Sequence, residues 1–214
     1  MAEQTYPSTA GGAVMAPRWR SALVPLVALV ALLVGSVGIW LWMRPPTEGS
    51  PEATFARDMS AHHTQAIEMA LAVRDRSTNA ELRQFALDVI LTQQAQIGQM
   101  QGWLAVWGLP LAGPQPPMAG QPTMMGMATP EQVAALQTMP IDKAEVSYLQ
   151  LMIRHHQGGV QMAQEALRQT NRPEVVRLAS AIVQAQQSEI EYMQQLLAQR
   201  GATPLEPMQM PMGG

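Results

Sequence analysis

All four histidines of this 214-residue chain stand in two pairs, His62–His63 and His155–His156, and a methionine precedes each pair by three residues, Met59 and Met152. On a helix, residues three and four apart lie on one face. Each Met-x-x-His-His run therefore gathers one thioether and two imidazoles on a single stripe. The stripe is otherwise apolar: Phe55, Ala66, Met69, Ala70 and Val73 in one run, Tyr148, Gly159, Met162, Ala163 and Ala166 in the other. It should point into a bundle. Inward imidazoles need partners, because burying an unpaired polar group costs about 1–3 kcal/mol. A metal ion satisfies them: neutral imidazole is a common ligand, and a thioether is soft enough to favour Cu(I). The predicted ligands are His62, His63, His155 and His156, with Met59 and Met152 as soft ligands and copper, as Cu(I), the favoured ion. Ala66 and Gly159 lack bulk where the pairs should converge and would leave room for an ion. Gln93, Gln94, Gln186 and Gln187 are predicted to orient the imidazoles. A single inward histidine is more often a hydrogen-bonded core residue than a ligand; two pairs with the same Met spacing favour metal. Spacing leaves open whether the imidazoles make one site or two.

Methionine is the compositional outlier, with 17 residues, and cysteine is absent, so there is neither a disulfide framework nor a thiolate site. Met69, Met100, Met162 and Met193 fall at helical spacing and read as core packing. Others lie in segments rich in Pro and Gly, where packing gives no reason for them. Met124, Met125, Met127, Met208, Met210 and Met212 are a second predicted soft-metal set, with low complexity as the competing reading.

The elements that must position these residues form an internal repeat. Shifting the chain by 93 positions pairs residues 55–108 with 148–201, with fifteen identities in fifty-four pairs. Each repeat reads as a helical hairpin, the first with helices over about 54–76 and 79–107. Thr78 with Glu81, and Asn171 with Glu174, are predicted to cap the second helix of each. Between the repeats, 109–141 is a Met/Pro-rich connection with one short helix, capped by Thr129, with Pro130 in its first turn and Gln132 closing a capping box. Two hairpins joined by one long crossover predict an all-α fold, a ferritin-like four-helix bundle over 54–201. Residues 44–53 read as a linker and 202–214 as a Met-rich tail.

Ser21 to Met43 is an uncharged apolar run of 23 residues, long enough to cross a bilayer. Arg18 and Arg20 precede it, which predicts a cytoplasmic, disordered 1–20 and an extracytoplasmic remainder. A cleaved signal peptide ending near Ser36 is the alternative; both export the helical domain. The net charge of −3 argues against nucleic acid as a partner.

The stretches FARDMSAHHTQAIEMA, ELRQFALDVILTQQAQIGQMQGWL, YLQLMIRHHQGGVQMA and EVVRLASAIVQAQQSEIEYMQQLL resemble a bacterial family known as a domain of unknown function, which includes a copper-resistance protein. The resemblance covers most of 54–201. It implies a ferritin-like fold, export and metal binding, usually in copper handling. The chain departs from it at Ser60 and at Gln96, where the family has an apolar residue and a glutamate; repeat 2 keeps that glutamate as Glu189. The leading expectation is a non-enzymatic copper-binding protein for buffering, resistance or transfer at a cell surface or in a periplasm. Its partner classes are the metal ion, the membrane through the N-terminal helix, a copper-transfer protein and a second copy of the chain. A metal-dependent redox enzyme is the second reading; having Met where di-iron bundles have the Glu of Glu-x-x-His counts against it. A metal-free interaction module, with the His pairs hydrogen-bonded to Gln93 and Gln186, is the third.

Overall fold

The structure, a computed structural model, describes residues 19–119 and 125–205. Residues 1–18 of the predicted disordered 1–20 and the predicted soft ligands Met124, Met208, Met210 and Met212 lie outside the described residues, while Trp19 and Arg20 are helical. Among the described residues there are six helices and no strand: α1 (Trp19–Met43), α2 (Pro51–Arg74), α3 (Ala80–Val106), α4 (Pro130–Thr138), α5 (Ile141–Gln169) and α6 (Pro173–Gln199). The chain divides into two compact units at Pro45–Pro46.

The first unit is built on α1. Its described large apolar side chains, from Leu26 to Val37, are all exposed. Side chains are described only over 25–38, fourteen residues where crossing a bilayer takes about 20. Among the described residues no helix is long and apolar enough to cross a membrane.

The second unit is a helical bundle. α2 packs on α3, α5 on α6, and α2 faces α5. Two core clusters show how the helices run. One joins the C-terminal half of α2 to the N-terminal halves of α3 and α5 and the end of α6, through Met69, Phe85, Met152 and Leu197. The other joins the start of α2 to the ends of α3 and α5 and the start of α6, through Met59, Leu104, Met162 and Ile182. α2 and α5 are thus antiparallel, and the two clusters exchange under the 93-residue repeat.

The helix starts are chemical. Ser50 caps α2, its Oγ accepting from Ala53 N, and Pro51 follows. The helix therefore begins inside the predicted 44–53 linker. Asn79, not Thr78, caps α3, with Oδ1 accepting from Leu82 N at 2.8 Å. α6 starts after Arg172 without a side-chain cap on its first turn, so Asn171 does not cap it; Pro173 already removes one donor that would need capping. The capping box of Thr129 and Gln132 is present at α4.

α2 holds the long crossover along its length. The Arg57 guanidinium, buried, donates to Pro110 O at 2.7 Å and pairs with Glu48 at 2.9 Å. Asp58 accepts from Met118 N at 2.9 Å. The Gln65 amide clasps Ala128, donating to its carbonyl at 2.9 Å and accepting from its N–H at 2.7 Å. Arg76, which reads as part of a solvated face, donates to the carbonyls of Leu136 and Met139.

Candidate metal centre

Because α2 and α5 are antiparallel, their His pairs meet at mid-bundle, between the two apolar clusters. All four imidazoles are fully buried. His62 and His155 stack face to face, with ring centroids 3.6 Å apart and planes inclined by 28°. His63 and His156 flank them at 6.2 and 6.3 Å from their chain neighbours.

Hydrogen bonds set the ring tautomers, because each partner can only accept through the atom it presents. His63 Nε2 donates to Gln96 Oε1 at 2.7 Å. His156 Nε2 donates to Glu189 Oε2 at 2.6 Å. His62 Nε2 donates to the Met125 carbonyl at 2.9 Å. Whenever such a ring is neutral, its Nδ1 carries a bare lone pair. Those three Nδ1 atoms, the Nδ1 of His155 and its Nε2 are five buried ring nitrogens without a hydrogen-bond partner. Both ends of the Gln93 amide and Gln186 Oε1 are unpartnered beside them. Burial pulls the His62 imidazole down to about 4 and that of His63 to about 3, and pushes His155 well below the ordinary histidine value. These three rings are neutral at neutral pH, the form that binds metal.

The donors suit a soft or borderline ion: neutral nitrogens, buried and short of partners. They are not preset around one point. Among the described residues no three His, Asp or Glu side chains stand close enough together to hold a metal ion. The stacking explains this, since His62 and His155 oppose ring faces rather than lone pairs.

Several expected positions differ. The space at Gly159 is filled: a Cβ there would lie 2.3 Å from Gln186 Oε1 and 3.1 Å from His62 Cε1. Gly159 therefore admits a neighbouring ring rather than an ion. Gln94 and Gln187 are exposed, and Gln93 and Gln186 make no bond to the histidines. The residues that do are Gln96 and Glu189, each 33 positions after the second His of its pair. That equal offset is the signal that could have found them. The Met125 carbonyl had only an indirect signal, the Gly158–Gly159 pair: a Cβ at Gly158 would sit 1.9 Å from Met125 O. Met59 and Met152 are both fully buried but belong to the two different clusters, Met59 with Met100 and Met162, Met152 with Met69 and Met193. The structure brings the four imidazoles together and sets the two motif methionines apart.

The family described as "Domain of unknown function (DUF305)" matches residues 52–197. No curated protein matches the chain. Among solved structures, a DUF305 protein of Streptomyces coelicolor, provisionally named as secreted, is 46% identical, with 73% of this chain and 98% of that one covered and a TM-score of 0.69. A DUF305 fragment from Deinococcus radiodurans is 40% identical, with 72% and 99% covered and a TM-score of 0.66. CopM in its Cu(I)-bound form is 29% identical, with 69% and 96% covered and a TM-score of 0.57; Cu(II)-bound and Ag-bound forms of CopM also match.

Proposed function

The chain belongs to the DUF305 family, and from that premise we propose that it is an extracytoplasmic copper-binding protein acting in buffering, resistance or transfer. The observation that carries this reading is the layer of five fully buried ring nitrogens without a hydrogen-bond partner. At about 1–3 kcal/mol for each unsatisfied buried group, such a layer is costly to keep. Coordination offsets that cost. His62, His63, His155 and His156 would be the ligands, with Met59 and Met152 reaching the layer from opposite sides, on a ferritin-like four-helix bundle. Cu(I) suits neutral imidazole and thioether. CopM, solved with Cu(I), Cu(II) and Ag, supports the choice of metal class. The apolar segment 21–43 would anchor the bundle outside the membrane. The Streptomyces relative's provisional naming as secreted supports export. The Met-rich stretches with Met124, Met125, Met127, Met208, Met210 and Met212 would supply further soft ligands. A binding role suits this layer better than catalysis, because the space beside Gly159 is already taken by Gln186 and His62.

One observation favours a metal-free polar core instead. The rings of His62, His63 and His156 each have one hydrogen bond, and among the described residues no three His, Asp or Glu side chains form a preset ligand group. The two readings separate in one measurement: Cu(I) content and competitive affinity of the chain beside a variant with all four histidines changed to alanine, each checked by circular dichroism. Tight binding lost only in the variant supports the metal reading. Equal binding in both, or none in either, refutes it.

A further inference from the structure

The repeat predicts two equivalent poles on either side of the imidazole layer, yet the crossover treats them differently. At the pole formed by the end of α2 and the start of α5, Leu136 of α4 and Ala128 are buried in the core, and the cavity of about 140 Å³ beside them has one thioether, Met139, and no carboxylate in its lining. At the other pole, between the start of α2 and the end of α5, a cavity of about 100 Å³ remains, lined by Phe55, Asp58, Met125 and Met162, with Glu165 at its edge.

The lining has a definite chemistry. Two thioethers face the cavity from different elements, Met162 from α5 and Met125 from the crossover. Met125 is held in place by its own carbonyl, which accepts from His62 Nε2 at 2.9 Å. It is held also by the tight packing of Met125 O over Gly158. Asp58 lies four residues before His62, one helical turn or about 5 Å along α2, and Met162 lies one turn beyond Gly159, which packs against His62. Two carboxylates line the cavity: Asp58, one of whose oxygens takes the Met118 N–H, and Glu165, which pairs with Arg168. Organic ligands occupy pockets of about 300–1,000 Å³; this cavity is too small for one and suits an ion with its partners. Thioethers select a soft cation such as Cu(I) or Ag(I) over a hard divalent one.

We propose that this cavity is the entrance for Cu(I) or Ag(I): Met125 and Met162 hold the ion one turn from His62, and the ion passes from them to the imidazoles. The proposal rests on the copper-binding reading above. It gives the two poles of the twofold repeat different roles, and it gives Met162 a role besides core packing.

The test uses the full chain labelled with ¹³C at the methionine methyls and ¹⁵N in histidine, titrated with Ag(I), which undergoes no redox change. The Met125 and Met162 methyl resonances should move at substoichiometric silver. In a Met125→Leu/Met162→Leu variant the imidazoles should load about tenfold more slowly, equivalent to about 1.4 kcal/mol on the barrier, and reach the same final occupancy. A Met139→Leu control, at the opposite pole, should load like the parent. If silver reaches the imidazoles while the Met125 and Met162 methyls stay still, or if the double variant loads at the parental rate, the entrance is refuted and the imidazole site stands. If the two methyls respond and the imidazoles never do, the cavity binds silver but leads nowhere, and the copper-binding reading of the layer fails with the transfer step.

Discussion

The two His pairs are identical in sequence but rest on different partners, and Glu189→Gln tests how much that difference matters. Glu189 accepts from His156 Nε2 at 2.6 Å, while in repeat 1 the neutral Gln96 accepts from His63 Nε2 at 2.7 Å. The substitution gives repeat 2 the partner that repeat 1 already has. A glutamine oxygen can still take the Nε2–H, so the tautomer persists and Nδ1 stays available; only the charge is lost. Carboxylate partners raise the basicity of a ligating imidazole, and losing them costs about 10- to 100-fold in metal affinity. Because Gln retains the hydrogen bond, the lower end applies: about tenfold, or about 1.4 kcal/mol. Without metal, a charge-assisted bond becomes a neutral one, a loss of about 1 kcal/mol. That loss is reduced because the Glu189 side chain is 25% exposed. Apo Tm should therefore fall by no more than about 2–4 °C. The reciprocal Gln96→Glu should strengthen binding at repeat 1 by a similar factor. The assay is competition for Cu(I) against a chelator of known affinity, with thermal unfolding of the metal-free protein alongside. Parental affinity in Glu189→Gln, with parental Tm, would falsify the claim that this contact tunes a metal ligand.

Acid should unfold the metal-free protein early. His62, His63 and His155 have folded-state pKa values below the ordinary 6.5, so as pH falls the unfolded chain takes up protons first and stability falls with it. The loss should begin near pH 6.5 at about 1.4 kcal/mol per pH unit for each histidine and continue until His62 itself protonates near 4; a Tm that is flat from pH 7 to 5 would contradict the buried, neutral assignment. Two glycines should respond in opposite senses to alanine. Gly158→Ala drives a methyl into the Met125 carbonyl and should cost about 1–3 kcal/mol. Gly98→Ala, in the middle of exposed α3 surface with nothing within 4 Å, should stabilise by up to about 1 kcal/mol. Thermal melts of the two variants decide this, and equal shifts would refute the close approach of the crossover.

Much of the architecture is local, and local patterns are readable in sequence. The 3.6-residue period placed Met59, His62, His63 and Met69 on one buried stripe of α2, and their counterparts on α5, all of them in the core. The Thr129–Pro130–Gln132 signature marked α4 because a capping box spans only one turn. The burial of all four histidines followed from the company they keep on the helix. What surrounds those histidines did not follow. The antiparallel crossing of α2 and α5 stacks His62 on His155 and sends Met59 and Met152 into opposite clusters. The register of α3 against α2 and of α6 against α5 brings Gln96 and Glu189, rather than Gln93 and Gln186, onto the rings. The path of the crossover puts the Met125 carbonyl on His62 and Met125 itself in the lining of the cavity at one pole. Each of these depends on contacts across 33 to 93 residues of chain, set by how helices dock. A helical period names the face a residue is on; only the packed bundle decides what that face meets.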